Sequence, residues 1–69
     1  MIEHVPILST NILSAGYDPE KRVMEIAFRG GVYVYEDVPQ EVFDGLVKSS
    51  SAGQFFNDNI RFGYRYRRS

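Results

Sequence analysis

The sequence predicts an α+β domain: a three-stranded antiparallel β-meander followed by one helix and a second short helix packed on the sheet. Three observations predict it. Apolar residues alternate with a period of two in three successive runs between residues 12 and 36. Turn-forming segments, Asp18-Pro19-Glu20-Lys21 and Gly30-Gly31, separate those runs. From residue 37 onward the apolar spacing changes to three and four, the period of a helix.

The N-terminal segment holds a short apolar patch, Val5 to Leu8, followed by Ser9, Thr10 and Asn11. Ile12 to Tyr17 reads as a strand, with Leu13, Ala15 and Tyr17 alternating against Ile12, Ser14 and Gly16. Tyr17, at its end, is expected to pack. Pro19 presets φ and Asp18 can bond back to the backbone, so the next four residues form a turn. Arg22 to Phe28 gives the clearest alternation: Met24, Ile26 and Phe28 face one side, Val23, Glu25 and Ala27 the other. Gly30-Gly31 offers the positive φ values of a two-residue hairpin leading into Val32-Tyr33-Val34-Tyr35-Glu36.

The length of that loop decides what Tyr33 and Tyr35 do. A two-residue loop, at 29–30 or 30–31, sets both tyrosines on the face of Met24, Ile26 and Phe28, as core or pocket wall. A three-residue loop at 29–31 turns every side chain over and sets them beside Val23, Glu25 and Ala27, as an exposed stacking pair. The Gly-Gly pair favours the shorter loop.

Asp37 is suited to cap the following helix, Pro39 to occupy its first turn, and Gln40 to complete a capping box with Asp37. Val42, Phe43, Leu46 and Val47 make its apolar stripe. Gly45 costs the helix about 1 kcal/mol relative to alanine, which points to a close approach there. Ser49-Ser50-Ser51 breaks it. Ser51-Ala52-Gly53-Gln54 has the spacing of a second capping box, opening a short helix that runs to about Asn59, anchored by Phe55, Phe56 and Ile60.

A chain of 69 residues is one small domain, here residues 1–69 with a core of about 7–66. Such a chain buries only about 60% of the surface its unfolded form exposes. It has no cysteine, so neither disulfides nor thiolate metal sites reinforce it. Ten aromatic residues, five Tyr and five Phe, supply bulk in compensation, and a homo-oligomer would bury more. The start lacks the basic region and apolar run of a signal peptide, and no stretch reaches transmembrane length. A soluble, cytoplasmic protein is expected, with no membrane partner.

Charge is unevenly placed. Residues 61–69 contain four of the eight bases and none of the nine acids, so the tail is +4 and the rest 4 − 9 = −5. That tail is expected to run to the C-terminus extended or as an edge strand, and in it Arg61, Arg65, Arg67 and Arg68 interleave with Phe62, Tyr64 and Tyr66. Guanidinium groups bind phosphate oxygens and aromatic faces stack on bases, so the first partner to consider is RNA or a nucleotide. The plain alternative is a basic end docked on the acidic body or left in water. Asn57, Asn59 and Arg61 follow the Phe55-Phe56 anchor as polar residues suited to binding; their plain role is helix C-capping and surface.

Catalysis finds little support. His4 is the sole histidine and lies in an N-terminal segment expected to fray; nothing in the sequence brings an acid and an activated serine to it. Glu36-Asp37 and Glu41/Asp44 are the close acid pairs, explained by helix capping and a solvated helix face. No catalytic residue, metal site or cofactor is expected, and the protein is read as a non-enzyme.

Taken together, Ser9-Thr10 with Ile12, Gly16-Tyr17-Asp18, Phe28, Gly31, Tyr33-Val34-Tyr35, Val38-Pro39, Leu46, Ser51-Ala52-Gly53, Phe56-Asn57, Ile60-Arg61 and Tyr64 resemble the KTSC domain. Each element is a weak motif; their order and spacing are specific, and the resemblance covers about residues 7 to 66. The family is named for the C-terminal extension of some lysyl-tRNA synthetases and also occurs as stand-alone small proteins in bacteria and phages. The resemblance implies a self-contained binding module, for which RNA is suggested by the synthetase attachment. It draws attention to Tyr33, Tyr35, Asn57, Arg61 and Tyr64. The expected function is therefore non-catalytic binding of RNA or another phosphate-bearing ligand. Arg61, Arg65, Arg67 and Arg68 would engage phosphates, while Tyr64 and Tyr66, with Tyr35, would stack on bases. The alternatives are a pocket that sequesters or senses a nucleotide, and a protein-interaction or self-association module.

Overall fold

Seven elements follow one another along residues 2–69, which the computed structural model describes: β1 (His4–Pro6), β2 (Ile12–Asp18), β3 (Val23–Phe28), β4 (Gly31–Tyr35), α1 (Gln40–Lys48), α2 (Ala52–Asn59) and β5 (Tyr66–Arg68). The α+β class and the two helices stand as the sequence predicts, but the antiparallel sheet has five strands rather than three, in the order β1-β2-β3-β4-β5. The two additions are three-residue edge strands. β1 pairs His4 with Gly16 and Pro6 with Ser14, and β5 pairs Tyr66 with Tyr35 and Arg68 with Tyr33. Segments so short carry little alternation of their own, and both owe their pairing to a neighbour already in the sheet.

His4 does not fray. Its Nδ1 meets Ser14 Oγ at 2.8 Å and its Nε2 meets Glu25 Oε1 at 2.8 Å, so one imidazole ties β1 to β2 and β3. A neutral ring satisfies both contacts if Nε2–H donates to the carboxylate and Nδ1 accepts from the serine hydroxyl. The acid and serine absent from the local sequence thus converge on His4 across the sheet, where they fasten an edge strand.

The β3–β4 loop has two residues, with Phe28 opposite Gly31 and Ile26 opposite Tyr33. Tyr33 and Tyr35 therefore share a face with Met24, Ile26 and Phe28, as the shorter loop predicts. The positive φ falls at Gly31 (153°) rather than across Gly30-Gly31. A Cβ at Gly31 would also lie 3.0 Å from Arg68 Nη2, whose guanidinium donates to the Gly30 carbonyl at 2.8 Å.

Both helices pack on this face. Ile12, Ala15, Met24, Ile26 and Tyr35 from the sheet meet Val38, Leu46, Ala52, Phe56 and Ile60 in one core. Tyr17 stacks on Phe43 at 5.4 Å and donates its hydroxyl to the Val38 carbonyl. Gly45 admits the close approach its position implies: a Cβ there would sit 2.6 Å from Phe55 Cζ.

The capping predictions need correction. Asp37 takes φ 56° and makes no cap; α1 starts at Gln40 with Pro39 before it and no side-chain capping bond. The chain turns at Asp37 so that Val38, fully buried, can donate its N–H to the Arg22 carbonyl at 2.8 Å. Helix α2 opens after Ser51 and ends at Asn59 as predicted, again without a side-chain cap. Among the described residues no helix is long and apolar enough to cross a membrane.

Gly16 is buried beneath β1, where a Cβ would meet the Glu3 carbonyl oxygen at 2.5 Å, a backbone atom unable to swing aside. Gly16→Ala is expected to push β1 off the sheet and destabilise the fold by roughly 1–3 kcal/mol in urea unfolding. An unchanged midpoint would show that β1 contributes nothing.

Candidate functional site

Side-chain parity carries from β4 into β5. Because β5 lies antiparallel to β4 with Tyr66 opposite Tyr35 and Arg68 opposite Tyr33, Tyr66 and Arg68 join the helix-side face and Arg67 turns to the other. Tyr33, Tyr35 and Tyr66 then form a cross-strand cluster, with ring centroids 5.9 Å apart for Tyr33–Tyr66 and 5.6 Å for Tyr35–Tyr66. Phe28 meets Tyr33 edge-on at 5.6 Å, and Phe56 meets Phe28 at 5.2 Å and Tyr35 at 5.7 Å. These distances suit attractive edge-to-face and tilted pairs.

The helices leave the end of this aromatic face uncovered. There Phe28, Tyr33, Tyr35, Phe56, Arg61, Phe62 and Tyr66 line an open cleft of about 300 Å³. Its depth is graded: Tyr35 is 3% exposed and forms the floor, Tyr66 is 57% exposed and Phe62 87%. Arg61 follows directly on the C-terminus of α2, where both its own N–H and that of Ile60 bond the Phe56 carbonyl at 2.9 Å. Its guanidinium carbon lies 5.1 Å from the centre of the Phe62 ring, a cation–π pair at the lip of the cleft.

The position of Arg61 also registers in the chemistry of Tyr35. Burial pushes the Tyr35 hydroxyl up to about 12, reinforced by the neighbouring Tyr66 and Tyr33, while the Arg61 charge partly offsets the rise. Tyr35 therefore stays neutral throughout the physiological range on the floor of the cleft.

The predicted site residues divide into groups. Tyr33, Tyr35, Arg61 and Tyr66 converge on the aromatic cleft. Asn57 and Arg61 line a second cleft beside it. Arg68 lies against the Gly30 carbonyl at the β3–β4 turn. Tyr64 and Arg65 lie instead beside Glu36 and Asp37, with the Arg65 carbonyl accepting from the Glu36 N–H at 2.9 Å. Arg67, on the opposite sheet face, has its Nε 3.6 Å from Glu36 Oε2. Asn59 serves its helix, donating from Nδ2 to the Phe55 carbonyl at 3.1 Å. Phe28, Phe56 and Phe62 are lining residues that sequence reasoning assigned to core or left aside. Phe28 carried a usable signal, since the two-residue hairpin sets it on the face of Tyr33. Among the described residues no three His, Cys, Asp or Glu side chains group as metal ligands.

A model of the KTSC domain matches residues 8–64. The chain belongs to the KTSC domain family. A protein from Tsukamurella paurometabola is 41% identical over 61 residues, covering 87% of this chain and 91% of that one. An uncharacterized protein from Stutzerimonas stutzeri is 39% identical over 67 residues, 94% of each chain. The crystal structure of a KTSC domain protein from Yersinia pestis superposes with a TM-score of 0.96 at 36% identity, over 100% of this chain and 99% of its own. That likeness includes β1 and β5, which lie outside the span of the family match.

The buried tyrosine of this KTSC domain yields a pH prediction. The folded state holds the Tyr35 proton more tightly than the unfolded chain, whose tyrosines ionise near 10. Its contribution to stability is thus complete below pH 10 and is lost as pH rises toward about 12, at up to about 1.4 kcal/mol per pH unit. Unfolding measured across that window should show a fall that Tyr35→Phe reduces; equal slopes in both proteins would contradict the placement.

Proposed function

We propose that this KTSC domain is a non-catalytic binding module for nucleotides, free or within single-stranded RNA, and that the ligand enters the cleft between Tyr66 and Arg61. The observation that carries the reading is the joining of an aromatic cluster from β4 and β5 to a guanidinium in one open cleft. A base has a π-face for Tyr66, Tyr33 or Phe62 to stack on, and its phosphate has the Arg61 charge at the lip. The cleft volume, about 300 Å³, is at the lower end for small-molecule sites and suits a single nucleoside-sized group. Its lining contains neither a carboxylate nor a histidine, and a neutral Tyr35 offers no general base, which supports binding over chemistry.

The tail arginines do not form one stripe. Arg67 faces away and Arg65 lies among acids, so the layout favours a local site over a groove that follows a long backbone. Few phosphates are then engaged, and salt should weaken binding gently, with a slope of about −0.7 per phosphate contacted on a single strand.

Calorimetric titration with mononucleotides and short single-stranded RNAs tests this reading. Tyr66→Ala should weaken binding by roughly 5- to 150-fold, the usual range for loss of a stacking platform. Arg61→Ala should weaken it and flatten the salt dependence, whereas Arg67→Ala should leave affinity unchanged. Binding that depends on Arg65 and Arg67 but ignores Tyr66 would overturn the assignment.

A further inference from the structure

We infer that the site takes two adjacent bases joined by one phosphodiester, the first held by stacking and the second read by side-chain amides. The inference rests on the nucleotide reading above and deepens it. A second cleft of about 320 Å³ adjoins the aromatic one, and the two share Phe28, Phe56 and Arg61 as a common wall. The Phe28–Phe56 edge-to-face pair, 5.2 Å between centroids, forms the ridge between them, and Arg61 borders both compartments.

The second compartment has a different chemistry. Where the first offers tyrosine rings, this one offers Asn11, Asn57 and Arg29 around a floor that includes Ile12. Among the described residues the Asn11 and Asn57 amides have no hydrogen bond to protein, unlike that of Asn59. An amide supplies a donor and an acceptor side by side, which suits it to the edge of a base. Arg29 is held at the turn by its Nε, which donates to the Thr10 carbonyl at 2.8 Å. Stacking tolerates any base, so discrimination between bases falls to this second compartment. A phosphodiester linking bases on either side of the phenylalanine ridge passes the charge that borders both, Arg61.

A mononucleotide, the linear 5′-phosphorylated dinucleotide and a longer oligonucleotide, each in an adenine and a uracil series, give the test by calorimetry. One dinucleotide should bind roughly tenfold or more tightly than its mononucleotide. Combined Asn11→Ala and Asn57→Ala substitution, at two exposed positions, should remove that gain and leave mononucleotide affinity intact. A longer strand matching the dinucleotide would place the two-base unit within RNA; a weaker one would identify a free dinucleotide as ligand. Equal affinity for mono- and dinucleotide, with mononucleotide binding still lost in Tyr66→Ala, would overturn the two-base inference alone. No binding in either series, or binding indifferent to Tyr66→Ala, would overturn the nucleotide reading and the inference with it.

Discussion

The two-residue turn at 29–30 is the constraint on which the remaining architecture depends. Pairing Phe28 with Gly31 fixes the parity of β4, so Tyr33 and Tyr35 point toward the helices and not toward the open sheet face. One further residue in that loop would reverse every side chain of the strand. β5 then inherits the same parity through its pairing with β4, which turns Tyr66 inward to the aromatic cluster and Arg67 outward to Glu36. Gly31 serves this arrangement twice, by adopting a φ of 153° and by leaving space for the Arg68 guanidinium over the turn.

From that register the packing and the cleft follow together. Tyr35 is both a core residue and the floor of the cleft, so the surface that would meet a ligand is continuous with the hydrophobic core. Side chains anchored this way are preorganised, and little ordering remains for a ligand to drive. Helix α2 supplies Phe56 to the wall and then ends, so that Arg61 and Phe62 project at the lip. At the opposite edge His4 contacts Ser14 and Glu25, beside the apolar packing of Ile7 against the core.

Strong local periodicity was legible: the alternation of β2 to β4, the apolar stripe of α1 and the extent of α2. The hairpin argument also oriented Tyr33 and Tyr35. Three kinds of information were not legible. β1 and β5 have three residues each and form through partners distant in sequence, so His4-Val5-Pro6 reads as a fraying end, and the tail reads as extended or an edge strand with no partner legible. Asp37 has the composition of a cap, yet the burial of Val38 demanded a left-handed turn there. The tail reads as a cluster of like charges, and only pairing with β4 shows that the period of two in Tyr66-Arg67-Arg68 separates Arg67 from its neighbours.

In the proposed reading the ligand meets the helix-side aromatic face at the β4–β5 edge. Nuclear magnetic resonance titration of the labelled protein with a mononucleotide tests it most directly, because backbone and ring shifts report position residue by residue. Changes should concentrate at Tyr33, Arg61, Phe62 and Tyr66, with Arg65 and Arg67 nearly still. Changes centred on Arg65, Arg67 and the open sheet face would contradict it.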